Sequence, residues 1–208
     1  MKVAVLGGTG SFGRALAGRL VSLGEDVVIG SREIARAQAT ASELGGGAAG
    51  ATNEDAVRDA ELAILAVKAD GALDTARAIA TALGETPLLS VASAIEFAAD
   101  GVRPDADARS VAERIQDVVR APVVAGLHSI AAANLDAEPP DEDALICGDD
   151  PVAKQLALDL AGKLVAGRAI DAGPLASART LEGLTAVIVN VNRRYKAHAG
   201  VRITGLRS

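Results

Sequence analysis

Apolar residues in this chain fall into two alternating kinds of block. Short, nearly continuous apolar runs occur at 2–6, 26–30, 62–67, 87–91, 123–127, 145–147 and 169–171, the pattern of strands buried on both faces of a sheet. Between them, helical spacing predicts helices from the glycine loop to about Leu23, over Ile34–Leu44, Glu54–Asp59, Ala72–Leu83, Ser110–Val119 and 152–164, and from Leu175 to about Arg194. Asn53 is the expected N-cap of the third of these, and Pro151 takes the favoured first position of the sixth. In the last helix Leu181, Leu184, Val187, Ile188 and Val191 recur at helical spacing. Gly45–Gly50 reads as a connector into a short strand ending near Ala51 and Thr52, 92–107 as irregular, and 136–143, with Pro139 and Pro140, as a solvated acidic loop. Strand and helix in alternation predict an α/β fold with a mainly parallel sheet.

The first 36 residues carry the strongest chemistry. Strand Lys2–Leu6 empties into Gly7-Gly-Thr-Gly-Ser-Phe-Gly13, which holds G-x-G-x-x-G as Gly8, Gly10 and Gly13. In a dinucleotide fingerprint the first glycine allows the turn off the strand, the second lets backbone approach a pyrophosphate, and the third lets the helix pack on the sheet. Ser11 and Phe12 open the helix, whose free N–H groups face an anion, and Thr9 either adds a hydroxyl to a phosphate or fills the loop. After the second strand an NAD site usually places a carboxylate for the ribose hydroxyls. This chain has Ser31 and Arg32 instead, with Arg36 one turn on. A hydroxyl and two guanidinium groups suit the 2′-phosphate of NADP. The competing reading is that Ser31 caps the next helix and the arginines are a solvated face.

Further along, Ala66, Val67 and Lys68 end the strand that should lie on the cofactor side. Lys68 either touches the cofactor or is an ordinary loop lysine. His128 follows the strand at 123–127, again on the ligand side, and is either functional or a satisfied structural histidine. The basic run from Arg193 to Thr204 is either a cationic cap on the last helix or a docking patch for an acidic ligand.

Composition narrows the classes. The 208 residues suit one nucleotide-binding domain and a small appendage. With two Phe, one Tyr and no Trp, a ring-shaped ligand must lie against aliphatic side chains and backbone. A net charge of −6 argues against a nucleic-acid partner. Cys147 is the single cysteine, which excludes an intramolecular disulfide; with only His128 and His198 beside it no zinc cluster is expected, and a reducing cytoplasm fits best. The apolar start is broken by Gly7 and Gly8 and lacks signal-peptide length, and no run approaches a membrane span.

Several stretches together resemble the NADPH-dependent reductases of coenzyme F-420 (F420), the F420:NADP oxidoreductases. They are Val5–Gly10 with Gly13, Gly30–Arg32, Leu127–Ser129, Cys147–Asp150, Asp171–Pro174 with Ser177 and Arg179, and Val191–Gly200. The opening is shared by many nucleotide-binding proteins; the later runs are more specific. The resemblance implies a Rossmann-type doubly wound domain over 1–150, and a small, largely helical portion over 151–208 that closes the substrate cleft, with two chains forming a homodimer. It implies hydride transfer between NADP(H) and the 5-deazaflavin F420. Thr9, Ser31, Arg32 and Arg36 fall on its NADP site, and His128 falls beside the deazaflavin, orienting or protonating it. Two departures stand out, in loops that the resemblance places along the deazaflavin pocket: Ala131 stands where a proline is common in the family, and Val91–Ile95 lacks another.

Transfer between two bound rings needs no nucleophile and no metal, so the absence of an obvious catalytic dyad is consistent with it. A short-chain reductase would need Tyr followed by Lys four residues later, but Tyr195 is followed there by Ala199. Two alternatives stay open at this level: an NADPH-dependent reductase of a flavin or ferric chelate, and a non-enzymatic NADP-binding sensor.

Overall fold

Val3 and Val5 of the first strand pack to one side of a sheet and Ala4 and Leu6 to the other, and all four are fully buried. That period of two, with no polar face, is what a sheet covered by helices on both sides requires. The structure, a computed structural model, describes residues 1–135 and 138–206. Its strands are β1 (Lys2–Leu6), β2 (Asp26–Ser31), β3 (Ala49–Thr52), β4 (Leu62–Leu65), β5 (Leu88–Ser90), β6 (Ile95–Ala98), β7 (Gly101–Pro104), β8 (Val123–Gly126), β9 (Ala144–Gly148) and β10 (Ala169–Asp171). Eight form one sheet in the order β10-β9-β8-β5-β4-β1-β2-β3. All neighbours are parallel except β8 and β9. The strand order reverses between β1 and β4, and open sheets of this doubly wound, Rossmann-type kind bind ligands in the crevice beyond such a point.

The helices are α1 (Ser11–Ser22), α2 (Ile34–Leu44), α3 (Asn53–Val57), α4 (Ala69–Leu83), α5 (Val111–Gln116), α6 (Ala132–Leu135), α7 (Pro151–Leu164) and α8 (Ala178–Tyr195). Helices α1, α2, α6 and α7 cover one face through Leu16, Leu20, Ala37, Leu135, Leu160 and neighbours. Helices α3, α4, α5 and the start of α8 cover the other through Val57, Ile79, Ile115 and Leu181. Fully burying a Leu or Ile contributes about 1.5–3 kcal/mol, so this two-faced core, rich in small alanines that let helices sit close, fixes where the strand ends point. Helix α8 is tied down by polar groups as well. Its buried Glu182 accepts the N–H groups of Val111 and Ala112 at 3.1 and 3.2 Å, capping α5 from outside, and burial pushes its carboxyl above the ordinary range.

Three expectations change. Thr52, not Asn53, caps α3: its Oγ1 accepts the Asp55 N–H at 3.1 Å, and Asn53 lies inside the helix, buried. Either side chain can cap, and the extended backbone falls one residue earlier than expected. Residues 95–104 are not irregular but form the β6–β7 hairpin, with Glu96 opposite Arg103. The hairpin stands outside the main sheet and exposes Phe97, so it carries no apolar run; Asn190 of α8 holds it by bonding both the N–H and C=O of Val102, at 2.8 and 2.6 Å. The acidic loop is not wholly solvated, because Glu142 and Asp143 are buried; its Asp136 lies outside the described residues. Asp143 is fixed by Arg168 at 2.8 Å and by the N–H groups of Arg168 and Ile203, each at 2.8 Å, which hold its carboxyl well below the usual carboxylate range. The last strand, β10, pairs with β9 at the edge of the main sheet as its apolar run predicts, and α7 packs on one face of that sheet.

Candidate functional site

The turn off β1 is made at Gly7, whose φ of +80° is the left-handed conformation that glycine adopts freely; the sequence reading placed that turn at Gly8. The Gly7 carbonyl then becomes the hub of the loop. It accepts the Gly10 N–H at 2.9 Å, and a Cβ on Gly13 would stand 2.4 Å from it. Gly8 is needed for packing instead, since a Cβ there would meet Ile29 at 2.9 Å. The N-cap of α1 is Gly10, which has no side chain to satisfy the helix's first N–H groups. Those groups are left to an anion.

Two cavities open along the carboxyl ends of the strands. The larger, about 840 Å³, is lined among others by Gly7, Thr9 and Gly10 of the loop and by Ser31, Arg32 and Arg36 beyond β2, with the carboxylates Glu33, Glu54 and Asp74 also on its wall. Ser31 Oγ accepts the Glu33 N–H at 3.2 Å, and Glu33, not Ser31, is the N-cap of α2. Arg36 lies 3.8 Å from the Glu33 carboxylate, with both side chains mostly exposed, so the contact is too weak to withdraw the guanidinium. The smaller cavity, about 580 Å³, is lined by Ser11, Phe12, Val91, Ser93, Phe97, His128 and Thr185 among others. Both share Gly10, Ala66, Val67, Lys68 and Asp70. The structure thus brings together Thr9, Gly10, Ser31, Arg32, Arg36, Val67 and Lys68 in one cavity and Gly10, Ser11, Phe12, Val67, Lys68 and His128 in its neighbour. Gly8 and Gly13 line neither.

His128 sits two residues beyond β8, after Leu127, whose φ of +64° is left-handed without the freedom of glycine. Its ring is buried, Nε2 lies 3.3 Å from the Ala92 carbonyl oxygen, and Nδ1 is buried with no partner among the described residues. A carbonyl can only accept, so Nε2 carries the proton and Nδ1 keeps a free lone pair. Burial pushes the imidazole down to about 4, which leaves it neutral near pH 7. The ring stands in the cavity wall with Nδ1 itself covered by protein. Cys147, inside β9, is fully buried, and burial pushes its thiol up to about 12, so it has no thiolate character to offer the site.

Residues 2–94 match the family model described as NADP oxidoreductase, coenzyme F420-dependent. Over 99% of this chain and 96% of the relative, the sequence is 36% identical to the F420-dependent NADP reductase of Methanothermobacter thermautotrophicus. The chain belongs to the F420-dependent NADP oxidoreductase family. It is also 32% identical to the F420-dependent NADP reductase of Methanocaldococcus jannaschii, over 99% of both chains. A crystal structure of a putative F420-dependent NADP reductase from Arthrobacter sp. FB24 has the same fold end to end, with a TM-score of 0.86, 27% identity, and coverage of 99% of this chain and 100% of that one.

Within this family member the smaller cavity is walled by Ser93 and Ile95, in the Val91–Ile95 stretch that the resemblance assigns to the deazaflavin pocket, and by Phe97 and Thr185, which the sequence reading missed. Phe97 lies in the stretch expected to be irregular, where no periodicity marks it. Thr185 left a trace, a hydroxyl between Leu181 and Ile188 on the buried stripe of α8.

Proposed function

We propose that this protein transfers a hydride between NADP(H) and the 5-deazaflavin coenzyme F420. The observation that carries the reading is the shared wall: a phosphate-ready cavity with two arginines adjoins a mostly apolar cavity through Gly10, Val67 and Lys68. The names of the full-length relatives supply the acceptor.

The residues present fit both groups. The glycine cradle leaves no room for Cβ atoms at Gly7 or Gly13, and the first N–H groups of α1 have no side-chain cap, as a pyrophosphate would need. Thr9, Ser31, Arg32 and Arg36 would hold the 2′-phosphate end, and the absence of a carboxylate at Ser31 or Arg32 favours NADP over NAD. His128 would orient the deazaflavin as a neutral part of the cavity wall. Reduced nicotinamide, when bound, supplies the hydride from its C4 to C5 of the deazaflavin. The chain's task is to hold the two rings face to face within about 3–3.5 Å and to exclude water. Val67, Val91 and Ile130 supply apolar wall for that purpose, and the segment 151–208 contributes α8 as the wall that closes the cleft.

The reading includes a homodimer, which the family resemblance implies and which light scattering at the monomer mass would remove. It includes a reducing compartment, consistent with the lone buried Cys147; among the described residues no helix is long and apolar enough to cross a membrane.

The test mixes purified protein with NADPH and oxidised F420 and follows loss of the deazaflavin's visible absorbance, with NADH in parallel. Rapid bleaching with NADPH and little with NADH is expected. Bound NADPH without bleaching would reassign the acceptor to a flavin or ferric chelate, or the protein to sensing.

A further inference from the structure

Thr185 sits where three parts of the smaller cavity meet. Its Oγ1 donates to the His128 carbonyl oxygen at 3.0 Å and lies 2.7 Å from Ser93 Oγ. A threonine hydroxyl has one proton, and the His128 carbonyl can only accept. The order is therefore fixed: Ser93 donates to Thr185, and Thr185 donates to His128. The chain of bonds runs from the loop after β5, through α8, to the turn after β8.

That turn needs holding. Leu127 has its φ at +64°, a conformation unfavourable for a residue with a Cβ that persists only where the surroundings over-determine it. Its side chain is packed in the core, but the hydrogen bonds that hold the turn are few. The Ile130 N–H bonds the Leu127 carbonyl at 3.1 Å, the Leu127 N–H has only a long bond to Leu145 at 3.4 Å, and the His128 ring reaches Ala92 at 3.3 Å. Ala92 and Ser93 are adjacent, so one loop holds His128 twice, once directly at the ring and once through Thr185 at the backbone.

We propose that Thr185 is the positioning residue of the acceptor cavity: with Ser93 it locks the strained Leu127–His128 turn and so fixes the tautomer and direction of the His128 ring. The inference rests on the acceptor reading for its catalytic consequence but not for its structural one. Thr185→Val keeps the shape and removes the hydroxyl, leaving the His128 carbonyl and the Ser93 hydroxyl unpaired. Thr185→Ser keeps the donor.

Two measurements separate the claims. Only two histidines are present, so long-range proton–nitrogen spectra of labelled protein resolve the His128 ring. Wild type and Thr185→Ser should display one sharp set with the proton on Nε2; Thr185→Val and Ser93→Ala should display exchange broadening or a second tautomer. In NADPH-driven F420 reduction, Thr185→Val should lose about tenfold in kcat, within the range that small misplacements cost, with NADPH affinity unchanged and Thr185→Ser restoring most of the rate. A wild-type ring spectrum in Thr185→Val would overturn the proposal whatever its rate, as would equal losses in the Val and Ser variants. A wild-type protein that never reduces F420, combined with a perturbed ring in the Val variant, would sink the acceptor reading and leave the positioning role standing. Should Thr185→Val fail to fold, Ser93→Ala and Thr185→Ser decide the matter by the same spectrum.

Discussion

Ser31 accepts the backbone N–H of Glu33 at 3.2 Å, closing a small turn across Arg32. The side chain between them is thereby carried on a backbone already fixed at both ends, and Ser31 serves the turn and the cavity at once. Charge-assisted hydrogen bonds contribute about 1.5–3 kcal/mol each, so Arg32→Ala should weaken NADPH binding about 10- to 100-fold and hardly change NADH binding. Fluorescence titration with both cofactors checks this; equal losses would mean the guanidinium does not meet the 2′-phosphate.

His128 sets a pH dependence of stability. Unfolded, its ring titrates near 6.5; folded, burial pushes it down to about 4. Between those values the unfolded chain binds the extra proton, so the stability it contributes is complete above pH 6.5 and falls as pH drops toward 4, by an amount on the order of 3 kcal/mol. Urea midpoints of wild type and His128→Gln at pH 7, 5.5 and 4.5 should converge as the pH is lowered. The rate of F420 reduction should meanwhile lack a limb near pH 6.5, because the ring is neutral throughout.

Asp143 acts with the same slope for a different reason. Its carboxyl is depressed by Arg168 and by backbone N–H donors, so the stability it contributes is present above the ordinary carboxylate range and is lost as pH falls below it. Asp143→Asn leaves Arg168 without its buried partner. Breaking a buried pair costs about 3–5 kcal/mol; with Arg168 partly exposed to water, about 2 kcal/mol is expected, a fall in Tm of about 4–8 °C. Calorimetry at pH 7 measures it.

Cys147 should be silent in the native state. A thiol fully buried in β9 and pushed up to about 12 should resist iodoacetamide at pH 8 and react at once in denaturant. Mass spectrometry of native and unfolded samples distinguishes the two, and rapid native labelling would contradict the packing of β9.

The elements legible in sequence were those whose own residues decide them. β1, α1, β2 and α2 declare themselves through apolar runs, glycine spacing and the Ser31-Arg32 pair, which line one cavity; the Glu33, Glu54, Asp74 and Thr75 that share its wall carry no such signal in sequence. The β6–β7 hairpin was invisible because its register is held by Asn190, 88 residues further along the chain. Glu142 and Asp143 looked solvated because charge alone cannot reveal that Arg168 and the Ile203 backbone would cover one of them. Ser93 and Thr185 are common residues whose meaning comes only from meeting each other across the fold.

The Gly7 carbonyl oxygen bonds the Gly10 N–H and stands 2.4 Å from where a Gly13 side chain would begin and 3.3 Å from where one on Gly10 would begin. Two glycines of the fingerprint therefore answer in part to the same oxygen, although a Cβ on Gly13 would also meet the Gly7 carbonyl carbon at 2.9 Å and Gly8 Cα at 3.0 Å. Their substitutions should be epistatic: once a first side chain has driven that oxygen aside, the second finds part of its obstacle already displaced. A drifting lineage would then hold or abandon the pair together, and the spacing of the motif records the reach of one carbonyl group.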